Sequence, residues 1–266
     1  MSSRGDPTIG LPRQLPGRQT TVLRKALSAE AAHRRKGWLV WLGCCMCLLD
    51  AAHADDDATY AEELGKAIAA SCPGNVTWQR DKAARQEAAP AVPAGTDADL
   101  KARLLRMVAE EQAALKAAIA GGFTDPIAMN RVEVVKRTNL AALHDIIAVG
   151  VPTPERVGRA GMAAFRELVQ HAVSDVVLQE QVLKAFEAVD SGIAPDAIAT
   201  LTDQVRLAQG RPQLYGTSFK ISPYALEPEP IEDEAHVEER RRAVGLPPMA
   251  DYACVLRVAY RVAPRK

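Results

Sequence analysis

Residues 97–126 read DADLKARLLRMVAEEQAALKAAIAGGFTDP, and the fold class follows from them. Leu100, Leu104, Met107, Val108, Gln112, Leu115 and Ile119 recur at helical spacing, so one face of this segment turns inward. Asp97 stands where an N-cap accepts a backbone N–H. Gly121-Gly122 ends the run, and Asp125-Pro126 restarts it as a cap followed by proline in the first turn.

The same grammar repeats downstream. Val132, Val135, Leu140, Leu143, Ile146 and Ile147 mark a second helix, closed by Gly150-Val151-Pro152. Thr153-Pro154 opens a third, carrying Met162, Phe165, Leu168 and Val169. Ser174 or Asp175 caps a fourth, with Val177, Leu178, Val182, Leu183 and Phe186 inward. A fifth runs from Pro195-Asp196 through Ile198, Leu201, Val205 and Leu207. After Gly210, PQLYGTSFK suits a short strand, and the Pro-rich PYALEPEPIED suits an extended surface segment. Glu232–Val244 is a charged helix whose arginines are expected to be solvated or paired with Glu232, Asp233 and Glu234. The tail YACVLRVAYRV alternates apolar residues from Tyr252 to Val262, a strand pattern. The expected fold is mostly α, a multi-helix domain with a small C-terminal β element (α+β), spanning 98–266. No internal repeat is visible.

Upstream, residues 55–78 read as a short helical segment, with Tyr60, Leu64 and Ile68 four apart and CPGN breaking it. Residues 79–97 read as an Ala/Pro-rich linker. Residues 1–54 form an N-terminal extension and a secretory signal. Arg34, Arg35 and Lys36 are its basic region, Gly37–Leu49 its uncharged apolar run, and Ala52-His53-Ala54 the small-x-small site, so cleavage is expected after Ala54. The Pro/Gly/Arg-rich stretch before the basic cluster is an unusual preface to a signal and points to a translation start downstream of Met1. Trp41-Leu42-Gly43 fits poorly before a lipid-attached Cys44, so a lipoprotein is the weaker alternative to a periplasmic or secreted protein. The membrane enters only through the signal segment.

The chain balances 33 basic against 33 acidic residues, but eight of the basic and three of the acidic ones precede Asp55. The remaining 25 against 30 give a net charge of −5, which offers no electrostatic reason to bind nucleic acid. Cys72 and Cys254 are the cysteines left after the cut, and an exported pair can form a disulfide across nearly the whole mature chain, or remain two buried thiols.

Four segments, NLAALHDIIAVGVPT, AAFRELVQHAVSD, LTDQVRLAQGRPQLYGTSF and PIEDEAHVEERRRAVGLPP, resemble the domain of unknown function 6624 family from about Leu100 to Tyr252. The resemblance implies no established activity. The chain departs from that pattern at Lys136, Val173 and Ser218, where the family has an acidic residue, Asp and Gln.

Two groups of residues invite chemistry. His171 and Asp175 are four apart, with Gln170 and Gln179 nearby and His144 or His236 able to join. Ser174-Asp175 also looks like a helix start, which would place His171 at one helix end and Asp175 at the next cap. In AQGRPQLYGTSF, Arg211, Gln213 and Tyr215 are binding candidates, and Asp203 is in reach for an Arg211–carboxylate pair. The run lacks the Gly-Lys-Ser/Thr of a phosphate loop, and a structural junction is the favoured reading. No spacing for a structural zinc site and no Gly-x-Ser-x-Gly occurs in the mature chain. The favoured function is an exported helical domain that binds a protein partner or small ligand, its cofactor, if any, unknown. The alternative is an envelope-located hydrolase or metal-dependent enzyme using His171 with Asp175 or Asp203. That alternative requires His171, Arg211, Gln213 and Tyr215 to share one cleft.

Overall fold

The computed structural model describes residues 55–88, 94–188, 191–222 and 224–262. The signal-like segment, its cut after Ala54, and Cys44, Cys45 and Cys47 lie outside the described residues. The chain is mostly helical: α1 (Asp55–Ser71), α2 (Pro73–Ala88), α3 (Ala98–Ala120), α4 (Pro126–Val149), α5 (Pro154–His171), α6 (Val176–Ala188) and α7 (Pro195–Ala208) precede an antiparallel pair, β1 (Phe219–Ile221) and β2 (Leu226–Pro228). A 3-10 turn (Glu234–His236), α8 (Val237–Ala243) and α9 (Met249–Ala259) follow.

The expected caps set the helix starts. Asp97 Oδ1 accepts from Leu100 N at 2.9 Å, and Asp125 Oδ1 from Ile127 N at 2.9 Å. Helix α3 packs against both α4 and α5, and α6 against α5 and α7. Their inward stripes meet in one core that includes Leu104, Leu143, Phe165, Val182 and Leu201. Phe165 is fully buried and meets Phe186 edge to face at 6.1 Å, so truncating it to alanine would cost about 3–5 kcal/mol. Two residues expected inward or on the stripe, Val177 and Ile119, are instead exposed, at 71% and 46%.

Two elements differ from the sequence expectation. The tail is helix α9, not a strand. Its alternation arises because α9 lies between two layers. Tyr252, Leu256 and Tyr260 pack with Phe219 and Leu226 of the β pair. Cys254, Val255 and Val258 pack with Ile68 and Cys72 at the end of α1. Two helical stripes, each at spacing four, interleave into an apparent period of two. The β element is therefore β1–β2, in register Phe219↔Pro228, Lys220↔Glu227 and Ile221↔Leu226. Residues 79–88, expected as linker, are helical and belong to α2. CPGN does not end helical structure, since Pro73 begins the next helix after one non-helical residue, Cys72. Ala, Gln, Lys and Arg are good helix formers. Tertiary anchors add to this: Trp78 Nε1 donates to Gly245 O at 2.7 Å, and Lys82 pairs with Asp196 at 2.7 Å.

Cys72 and Cys254 form a disulfide, with Cα atoms 5.9 Å apart, that ties the α1–α2 junction to α9.

Candidate functional site

The run after α7 is a structural hub. Helix α7 ends in a Schellman turn: Gly210 N donates to Leu207 O, Arg211 N donates to Arg206 O, and Gly210 takes φ +72°. The chain then folds back over Asp203, which is fully buried. Asp203 Oδ1 accepts from Leu214 N at 2.6 Å and Tyr215 N at 3.0 Å. Its Oδ2 accepts from Thr217 N at 2.9 Å and Thr217 Oγ1 at 2.8 Å. One carboxyl thus gathers four donors from three loop residues.

Gln213 is equally buried, donating to Ser218 O and Glu229 O while its Oε1 accepts from Ser218 N. From α8, Arg240 donates to Leu214 O and Arg241 to Tyr215 O, Gly216 O and Pro247 O. Arg240 also pairs with Asp233 at 3.7 Å, in line with the expectation, whereas Arg241 is held by backbone carbonyls instead of solvent or a nearby acid. Arg241 has no exposed surface, and burial lowers its pKa. Burial, Asp203 and Glu187 raise that of the Tyr215 hydroxyl. The expected Arg211–Asp203 pair does not form, because Arg211 is exposed and the loop amides occupy Asp203. Arg206 reaches an acid here, bonded to Glu232 and to Pro212 O.

His171 lies elsewhere. It ends α5, and Asp175 caps α6 by accepting from Leu178 N at 2.9 Å. Asp175 also meets His144 Nε2 at 2.8 Å. The partner of His171 is Glu111 of α3, at 3.0 Å from Nδ1. Asn139 of α4 donates to the other oxygen of Glu111 at 2.9 Å. Glu111 is 5% exposed. Burial pushes its carboxyl up, but His171, Asn139 and Lys136 outweigh that and leave its pKa below the usual value. Lys136 lies beside them, pushed down to about 8 by burial against the opposing pull of Glu111 and Glu133.

These four polar groups line a shallow open cavity together with Leu140, Leu143, Leu168 and Ala172. Its enclosed space is on the scale of one water, and the rest of it opens to solvent. His171 is there, whereas Arg211, Gln213 and Tyr215 do not line it. Gln170 is buried, its Oε1 accepts from Arg166 at 2.6 Å, and its backbone carbonyl accepts from Gln204. His236 is exposed and paired with Asp233, which raises its pKa. The arrangement offers an amine, an imidazole held by a carboxylate, and an amide, all at one opening. Proton transfer and recognition of a small polar group are within its means. Among the described residues, no group of three His, Cys, Asp or Glu side chains is placed to hold a metal, and no helix is long and apolar enough to cross a membrane.

No curated protein matches the chain, and no solved structure does. The sequence matches the family of unknown function (DUF6624) over residues 98–264, from the first turn of α3 to just beyond α9. With most of its length inside that match, the chain belongs to this family.

Proposed function

We propose that the chain is an exported binding protein whose ligand site is the cavity shared by Glu111, Lys136, Asn139 and His171. The observation that carries the reading is their convergence from three helices on one opening. A buried charged cluster adds little stability over an apolar one of equal volume, so its presence at an opening favours recognition over scaffolding. The rest of the polar inventory supports a binding role rather than hydrolysis with Asp175 or Asp203. Asp203 is fully occupied by loop amides, and Asp175 caps a helix and holds His144. Export rests on the basic, apolar and Ala-x-Ala succession at 34–54, and the Cys72–Cys254 bond suits an oxidising compartment.

Two experiments test this. Sequencing the mature N-terminus should return Asp55-Asp56-Asp57, and an intact cytoplasmic chain would refute export. Titrating the labelled protein with small acids, amines and carbonyl compounds should move amide resonances of α3, α4 and α5 around the cluster. If no compound moves them, the site reading fails.

A further inference from the structure

We propose that Lys136 is a carbonyl-reactive amine: the cavity receives the terminal carbonyl of a small aldehyde, which condenses with Nζ to a Schiff base. The inference rests on the cavity being the ligand site and adds what the ligand is. Three features point to it. Lys136 shares the opening with Leu140, Leu143 and Leu168, an apolar wall that disfavours its charged form. The charged and titratable groups facing it are Glu133 on its own helix, Glu111 from α3 and His171 from α5. Even with both carboxylates opposing, its pKa falls to about 8, so at pH 8 about half of the side chain is unprotonated. An ordinary lysine at 10.5 holds about one part in 300 in that form.

The second feature is the proton carrier. Imine formation needs a group that gives a proton to the departing oxygen and takes one from nitrogen. His171 lines the same cavity, held by Glu111 through Nδ1. The third feature is size. Enclosed space on the scale of one water admits a C=O group and leaves the remainder of a ligand outside the mouth.

The step balances without an oxidant. The Nζ lone pair attacks the carbonyl carbon, and the oxygen takes a proton to give a carbinolamine. Nitrogen then loses a proton, oxygen takes a second and leaves as water, and the C=N bond forms.

The test uses the full chain with its disulfide intact, glyoxylate at pH 8, and cyanoborohydride to trap the imine. Peptide mapping compares Lys136 with Lys66, Lys184 and Lys220, whose side chains are 65–72% exposed, in the same sample. Lys136 should be trapped at least tenfold faster, with a pH midpoint near 8, and His171→Gln should slow trapping at Lys136 alone. Equal trapping at all four lysines overturns the proposal, and this comparison needs no variant to fold. Glycolate, with a hydroxyl in place of the carbonyl, separates the two readings. If glyoxylate and glycolate both shift the cluster's resonances but Lys136 is not trapped selectively, the Schiff base falls and the binding site stands. If neither shifts them, both fall.

Discussion

Replacing Asp203 by Asn should cost more stability than most surface changes in this chain. The amide is nearly isosteric, so packing around the residue barely changes. The donor–acceptor pattern changes completely. Both oxygens of Asp203 face only donors: Leu214 N and Tyr215 N on one side, Thr217 N and Oγ1 on the other. If Oδ1 becomes NH2, Leu214 N loses its acceptor while Tyr215 N keeps Oδ2 at 3.2 Å; if Oδ2 does, Thr217 N loses its acceptor while the Thr217 hydroxyl can turn to accept, so one backbone N–H faces a donor in a site with no solvent exposure. Leaving one buried N–H unsatisfied costs about 1–3 kcal/mol, and that is the expected loss. That is a large fraction of a stability in the usual range of about 5–15 kcal/mol. Urea melts of parent and variant, compared at matched slope, measure it. A loss below about 1 kcal/mol would refute the view that this carboxyl holds the loop.

Arg211→Ala should leave the melting temperature unchanged within about 1 °C, since the side chain is exposed and Asp203 is occupied elsewhere; a loss comparable to that of Asp203→Asn would restore the ion-pair reading. Gly216→Ala should lower stability by about 1–3 kcal/mol in the same melts, because φ is +66° and a Cβ would lie 2.8 Å from Met249 Sδ. Removing the disulfide with a Cys72→Ala/Cys254→Ala variant opens a loop with a sequence separation of 182 and should cost up to about 5 kcal/mol; thiol counting on the unreduced parent should find neither cysteine free. The folded state binds fewer protons than the unfolded one between the two pKa values of Lys136, about 8 and 10.5, so stability should rise with pH from 8 to 10, before Tyr215 opposes it. Lys136→Met should flatten that rise. Below pH 4.5, protonation of Glu111 removes stability that its lowered pKa supplies at higher pH, and Glu111→Gln should blunt this acid limb.

The helical body was legible because each helix has one buried face. Single stripes, Asp caps and Gly or Pro stops translate directly into helices α3 to α7. Helix α9 was misread because it is buried on two sides, which erases the single stripe that periodicity detects. Residues 79–88 were misread because composition alone cannot distinguish an Ala-rich charged helix from an Ala-rich linker. The deciding contacts, Trp78 to Gly245 and Lys82 to Asp196, span 167 and 114 residues.

The candidate site carried a signal of another kind. His171 was singled out for its spacing to Asp175, yet its partner is Glu111, 60 residues away. Glu111 sits seven residues after Leu104 and Asn139 seven after Val132, each on the buried phase of its helix. A polar residue in the phase of an apolar stripe must find a partner from another helix, because leaving it unpaired would cost several kcal/mol. Two such residues on the antiparallel neighbours α3 and α4 are therefore candidates to meet each other, and a histidine at the end of α5 can complete the set. Arg241 follows the same logic: it falls within an exposed-looking Arg-Arg-Arg run, and the backbone carbonyls of Tyr215, Gly216 and Pro247 together with the Tyr252 ring explain its burial. Charge-counting places such residues on the surface. Their phase relative to the apolar stripe is the evidence that can place them inside, and it is available wherever a helix has one buried face.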